Sequence, residues 1–189
     1  MGKVVAAGYA TVQAGITALA KESLEGYADY EQLVGGVETL FGSGGQSLEE
    51  YAKTVGKTVD EVRDEYNSLM KAQKTVLSNA DKAYKTAGMS ANEYMETVTS
   101  FSASLIQSLN GDTEAAAEKA NQAITDMSDN ANKMGTSMES IQNAYQGFAK
   151  QNYTMLDNLK LGYGGTQEEM KRLLADAKAI SGIEYDISS

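Results

Sequence analysis

Apolar residues recur along most of the chain at steps of three and four positions, the period that places them on one face of an α-helix. The clearest stripe joins Tyr94, Val98, Phe101, Leu105 and Leu109. Segments in which apolar and polar residues alternate, as in a half-buried strand, are almost absent from the sequence. The pattern predicts an all-α fold in which several helices, separated by glycine breaks, pack as a loose or elongated helical bundle.

Sequence signals mark where the helices start and end. A Ser or Thr followed three residues later by Glu is a capping box, in which each residue binds the other's backbone. Asp112 and four such pairs predict helix starts; the pairs are Ser47 and Glu50, Thr58 and Glu61, Ser90 and Glu93, and Thr166 and Glu169. Glycine is a common residue at a helix C-terminal stop, and the predicted stops are Gly56, Gly88, Gly111, Gly135 and Gly182.

The chain before the first capping box is rich in Ala and Gly. Val4 to Phe41 predicts a helix with a kink or break near Gly35 and Gly36, because an internal glycine costs up to about 1 kcal/mol relative to Ala. Gly42 to Gly45 predicts a flexible loop. We therefore expect an N-terminal helical segment, residues 1–41, and a multi-helix region, residues 42–189, which could also form one continuous module.

Further stripes predict the buried faces of other helices. One runs from Val59 to Ala87 and includes Tyr84, and another runs from Met170 to Ile180. Asn152 to Gly165 predicts irregular structure. A stripe of mostly small residues resembles a coiled-coil seam and would let two helices approach closely; its members are Ala116, Ala120, Ala123, Met127, Ala131 and Met134.

The amino-acid composition excludes disulfides, structural zinc sites and catalysis that depends on histidine. The 189 residues include no Cys, His, Pro or Trp, but 18 Gly. Without Cys there is no disulfide framework, and without His as well a structural zinc site and His-dependent catalysis are excluded. We expect no catalytic, cofactor-binding or metal-binding residues, no cofactor, no small-molecule substrate and no enzyme activity.

Three features of the sequence resemble functional sites. The adjacent acids Glu49–Glu50 and Glu168–Glu169 lie in predicted first turns, where carboxylates complement the helix dipole. Asp126 to Asn132 has alternate oxygen side chains like a calcium loop, but Ala131 stands where such a loop needs Gly, and its closing Glu would fall on Ser137. Tyr163 to Gly165 predicts a turn, since no Lys-Ser or Lys-Thr follows as in a phosphate loop.

The net charge of −10 argues against direct nucleic-acid binding, which needs clustered Lys and Arg. Val4 to Ala20 is apolar but shorter than the roughly 20 residues of a membrane span. This segment predicts an Ala-rich packing helix; the alternative is a segment that meets a membrane in a transient state.

Four stretches carry a resemblance to a known family. They are Tyr30 to Phe41, Tyr84 to Met95, Ile124 to Gly135 and Gln142 to Thr166. Over about Tyr27 to Ser189 the chain resembles the tape measure proteins of tailed phages and prophages of Gram-positive bacteria. The last stretch, with its Asn, Tyr and Gly positions before Thr166, is the most specific.

The resemblance implies a structural role in the virion. Family members lie extended in several copies inside the phage tail tube, set its length during assembly, and leave ahead of the DNA at ejection. The implied partners are other copies of the chain, tail tube proteins and tail-assembly chaperones, together with the host membrane at ejection. The implied locations are the interior of the tail tube and, during assembly, the host cytoplasm.

The chain is short for the family that it resembles, and other functions stay open. A fully helical chain of this size would span about 280 Å, whereas tape measure proteins are usually several times longer, so we expect an internal segment of a longer protein. The alternatives are a helical scaffold or coiled-coil signalling module, a membrane-active segment at Val4 to Ala20, and an enzyme acting on the bacterial cell wall.

Overall fold

The computed structural model describes residues 26–184, and the regular secondary structure within that range is helical throughout. Helix α1 covers residues 26–41. It is followed by α2 (Leu48–Val55), α3 (Val59–Thr86), α4 (Ala91–Ser108), α5 (Thr113–Met134), α6 (Met138–Phe148), a 3-10 helix (Leu156–Leu159) and α7 (Gln167–Ser181). The predicted all-α fold is confirmed; the part of the predicted first helix before residue 26 lies outside the described residues.

Helices α3, α4 and α5 form the centre of the bundle, because each of the three packs against the other two. Helix α2 packs on α3, and α6 packs on both α4 and α5. The turns between α3 and α4 and between α4 and α5 are only four residues long, so these helices fold back as hairpins. One hydrophobic core results; its fully buried larger side chains include Val37, Phe41, Val62, Val76, Tyr94, Met95, Val98, Ile124, Met127, Ile141 and Leu156.

Most helices begin at the predicted residues. Ser90 Oγ accepts a hydrogen bond from Glu93 N at 3.2 Å, and the Glu93 carboxylate accepts one from Ser90 N at 2.7 Å. Equivalent reciprocal bonds start α2, the Glu61 carboxylate accepts from Thr58 N at 2.8 Å at the start of α3, and Asp112 Oδ1 accepts from Ala115 N at 2.9 Å to start α5. These predicted starts are confirmed, as are the glycine stops in the left-handed conformation after α2, α5 and α7.

The predicted capping box at Thr166 is only half present. Thr166 Oγ1 accepts from Glu169 N at 3.2 Å, as expected. The Glu169 carboxylate instead accepts from Gly164 N at 3.1 Å and pairs with Arg172 at 2.9 Å. The glutamate thus fastens the preceding loop to α7 rather than closing the reciprocal box.

The predicted interruption at Gly35 and Gly36 is wrong, since residues 26–41 form one uninterrupted helix. Tertiary packing outweighs the low helix propensity of glycine here. Val37 and Phe41 are fully buried in the core, and Gly36 lies close to the side chain of Thr99 on α4. Burial of this face holds the helix together across the glycine pair.

Three predicted core positions are also wrong, and one of them, Met134 at the end of α5, is 37% exposed. Tyr84 is 80% exposed and Ile180 is 89% exposed. A helix turns about 100° per residue, so Tyr84 lies about 80° around α3 from buried Val76, whereas Ala83 lies only about 20° away. Ala83 is the buried residue. Ile180 is similarly about 80° from Met170, the one residue of α7 that is fully within the core.

The segment predicted to be irregular, Asn152 to Gly165, contains a short 3-10 helix. Leu156 and Leu159 in that helix and Tyr153 before it are buried in the core. Lys160, at its end, adopts a positive φ of 54° and donates from Nζ to the Gly135 carbonyl at 3.0 Å. This loop is therefore an ordered part of the fold, held against the end of α5.

Candidate functional site

Among helices α2 to α7, the contact between α3 and α5 is the most extensive. Alanine is the most frequent residue that these helices bury, and the predicted seam positions Ala116, Ala120 and Met127 of α5 are among the buried residues. Small side chains allow helix axes to approach to about 8 Å, the short end of the usual range. The buried alanines are Ala72, Ala80 and Ala83 on α3 and Ala116, Ala117 and Ala120 on α5.

Polar side chains tie the edges of this contact. The Glu114 carboxylate, in the first turn of α5, accepts hydrogen bonds from Ser68 and Lys71 on α3. The Lys71 bond is the main reason why the pKa of Glu114 lies below its ordinary value. At the other end, Ser128 Oγ donates to the Ala87 carbonyl at 2.6 Å. The contact is thus apolar along its centre and fastened at both ends.

A second interhelix contact combines a large side chain with a hydrogen bond. Tyr94 on α4 is fully buried, and its hydroxyl donates to Asn121 Oδ1 on α5 at 3.0 Å. Burial raises the pKa of Tyr94 to about 12. The phenol is therefore neutral at physiological pH and acts as a structural link between the two helices.

The two acidic pairs, Glu49–Glu50 and Glu168–Glu169, lie in the first turns of different helices, α2 and α7. Glu50 accepts bonds from Ser47, which lower the pKa of its carboxyl, and Glu169 binds Gly164 N and Arg172. Glu49 and Glu168 are exposed in the first turns of their helices. The structure gives these side chains capping and loop-fastening contacts.

The calcium-loop-like segment and the turn at Tyr163 to Gly165 also have structural contacts. Asp126 to Asn132 lies within α5, where Asn130 Nδ2 donates to the Leu159 carbonyl at 3.0 Å. Tyr163 lies in the loop before α7; its ring stacks under Arg172, and its hydroxyl donates to Asp176 at 2.6 Å. Both features hold the 3-10 loop and α7 in place.

Two clefts of about 650 Å³ each open on the surface. The first lies between α3 and the start of α5, and its walls include Glu65, Asp112 and Glu118. The second, which we call the α4–α6 cleft, lies where α3 turns into α4 and α5 turns into α6. Its lining includes Met89, Glu93, Glu96, Ala131, Met138 and Glu139.

No pattern in the sequence predicts the α4–α6 cleft. Its residues come from three helices, α4, α5 and α6, and from the turn between α3 and α4. Among them Glu93 belongs to a capping box. Met89 lies in the turn before α4, and Met138 is the first residue of α6, so the two are distant in sequence. Clefts formed by tertiary packing of this kind leave no local periodic signal.

Neither a metal-binding cluster nor a membrane-spanning helix is found within residues 26–184. Among these residues no group of three or more acidic side chains is arranged to hold a metal ion. Within the same range no helix is both long and apolar enough to cross a bilayer. Val4 to Ala20, the membrane candidate from the sequence, lies outside the described residues.

Comparisons of the chain with protein-family models, with curated protein sequences and with solved structures each give no significant match.

Proposed function

We propose that the chain is a helical segment of a phage tail tape measure protein and acts in tail assembly and DNA ejection without catalysis. The observation that carries the proposal is the resemblance of about Tyr27 to Ser189 to that family. The all-helical architecture agrees with the role, because a helix is the regular structure that spans a long tube with all of its backbone hydrogen bonds made internally.

The turns of the bundle support a chain that can be compact or extended. Helices α3 and α4, and α4 and α5, fold back at four-residue turns with no proline. Straightening these turns would convert the hairpins into a rod of about 1.5 Å per residue. The α3–α5 surface that separates in this process is rich in alanine, which buries little apolar area per residue and so limits the free energy needed to part these two helices.

If the hairpins straighten, the apolar helix faces that they bury become available to other copies of the chain. Parallel copies lying side by side in a tube could bury the same alanine and methionine faces between chains instead of within one chain. Tail tube proteins and tail-assembly chaperones are the other partners that the proposal requires. The net charge of −10 would keep the packed chains apart from DNA in the same lumen.

The first test locates the protein. In cells that carry the gene, tailed particles are induced and purified, and tail and envelope fractions are compared by peptide mass spectrometry. We expect peptides from α3, α5 and α7 in purified tails at a constant ratio to tube protein. Absence of these peptides from intact tails would contradict the proposal.

A second test measures length directly. An in-frame deletion of residues 59–134 from the gene removes α3, α4 and α5. If this segment lies extended as helix in the tail, tails should be shorter by about 110 Å. Electron microscopy of the particles measures the change, and a deletion variant with tails of unchanged length would show that the segment does not set length.

A further inference from the structure

The α4–α6 cleft combines an apolar floor with polar groups that are already paired. Met89 is 8% exposed, and Ala131 and Met138 are half-buried. At the back of the cleft Gln142 Nε2 donates to Thr97 Oγ1 at 2.9 Å, and Ser128 Oγ donates to the Ala87 carbonyl at 2.6 Å. Because these polar groups bind each other, whatever contacts the floor gains most from apolar side chains.

The rim of the cleft is negatively charged. Glu93, Glu96 and Glu139 are exposed along it, and neither Lys nor Arg is among the residues that line it in the described part of the chain. Helices α3 and α5 both end at this cleft, and the C-terminal end of a helix carries partial negative charge. Hydrogen bonds from Ser90 hold the pKa of Glu93 below its ordinary value, so this carboxylate stays ionised in mildly acidic solution.

Floor and rim together select the chemistry of a partner. Methionine side chains adapt their shape to different apolar groups, and a volume of about 650 Å³ is in the range of binding sites. A second copy of this chain is disfavoured as the occupant, because a net charge of −10 repels a like-charged surface from an acidic rim. A partner with positive charge beside apolar side chains satisfies both parts of the cleft.

We propose that the α4–α6 cleft binds an amphipathic helix of another protein, which places apolar side chains on Met89 and Met138 and Lys or Arg side chains on Glu96 and Glu139. This is the helix-in-groove mode of recognition, with charge on the rim setting the choice of partner. The inference rests on the cleft alone and does not depend on a location in the phage tail.

The test uses a synthetic helical peptide of about 18 residues, five turns of helix, with leucine on one face and lysine on the other. A matched peptide carries glutamate in place of lysine. Binding of each labelled peptide to the full chain is followed by fluorescence anisotropy. We expect the lysine peptide to bind, the glutamate peptide not to bind, and added NaCl to weaken the complex.

Paired variants separate the cleft from the general acidity of the surface. E96Q/E139Q removes two charges from the rim, and the control E49Q/E168Q removes two exposed first-turn charges from α2 and α7. We expect the rim pair to weaken binding about threefold or more and the control pair to change it by less than about 1.5-fold. M138Q should also weaken binding by removing the apolar contact. Circular dichroism checks that each variant is folded.

Three results would overturn the proposal. The first is equal weakening by the two double variants, which would mean non-specific attraction to the acidic surface. The second is equal binding of both peptides or full displacement of the lysine peptide by spermine, since either would mean that one half of the cleft is not used. The third is no binding at about 1 mM peptide.

Discussion

At the scale of single residues, the loop before α7 depends on one glycine. A side chain at Gly165 would overlap the Thr154 carbonyl oxygen, so the two backbone segments can approach only if this residue has no Cβ. Gly164, its neighbour, has room: a Cβ there would lie 3.7 Å from the Glu169 side chain, an ordinary contact.

This difference gives a matched prediction. Gly165→Ala should lower the free energy of unfolding by about 1–3 kcal/mol, because backbone must move to relieve the overlap. Gly164→Ala should change it by less than about 0.5 kcal/mol. Urea denaturation of the two variants measures both values, and equal effects would show that the Gly165–Thr154 approach is not needed for the fold.

A second residue-scale prediction concerns the capping box of α4. Ser90→Ala removes the oxygen that accepts from Glu93 N and should lower stability by about 1 kcal/mol. Ser100→Ala is the control, since Ser100 is exposed in the middle of the same helix and bonds only to the carbonyl of Thr97. Thermal unfolding should show a lower midpoint for the first variant alone; if both variants melt at the same temperature, the cap contributes nothing measurable.

At the scale of helices, the sequence predicted most boundaries because the signals that set them are local. Each capping box and glycine stop acts within about four residues, so a short window of sequence contains the whole interaction. The failures came from packing. The intact helix across Gly35 and Gly36 depends on Val37 and Phe41 reaching the core. The α4–α6 cleft depends on α4, α5, α6 and the α3–α4 turn coming together.

The alanine contact between α3 and α5 leads to a prediction for whole elements. Ala120→Leu inserts a larger side chain at a fully buried position and should cost about 1–3 kcal/mol. Ala103→Leu places the same side chain at an exposed position of α4 and should change stability by less than about 0.5 kcal/mol. Denaturation in urea compares them, and a harmless Ala120→Leu would mean that the helices are not closely packed there.

At the scale of the whole molecule, stability should depend on pH through several carboxylates. Hydrogen bonds lower the pKa of Glu50, Glu61, Glu93 and Glu114 below their ordinary values. A lowered folded-state pKa stabilises the fold above the unfolded-state value, and this contribution is lost as pH falls through the folded-state value. Asp126 acts with opposite sign, because burial and the charge of Asp129 raise its pKa.

With four such groups against one, the free energy of unfolding should fall as pH is lowered from about 5 to about 3. Denaturant midpoints measured across that range test the expectation. Glu93→Gln should show a shallower dependence than the parent chain, since one of the four groups no longer titrates. A midpoint that rises steadily on acidification would contradict this assignment of charges.

The helix starts and the hairpins are held by contacts between residues that are near in sequence, and such contacts affect the rate of folding. Ser47, Thr58, Ser90 and Asp112 all bind groups three residues away, and the central helices meet across turns of four residues. Folds dominated by contacts between residues near in sequence have low contact order and form in microseconds to milliseconds. The α3–α4 and α4–α5 hairpins should therefore form first, and the α3–α5 contact, which joins residues as distant in sequence as Ser68 and Glu114, should close after them.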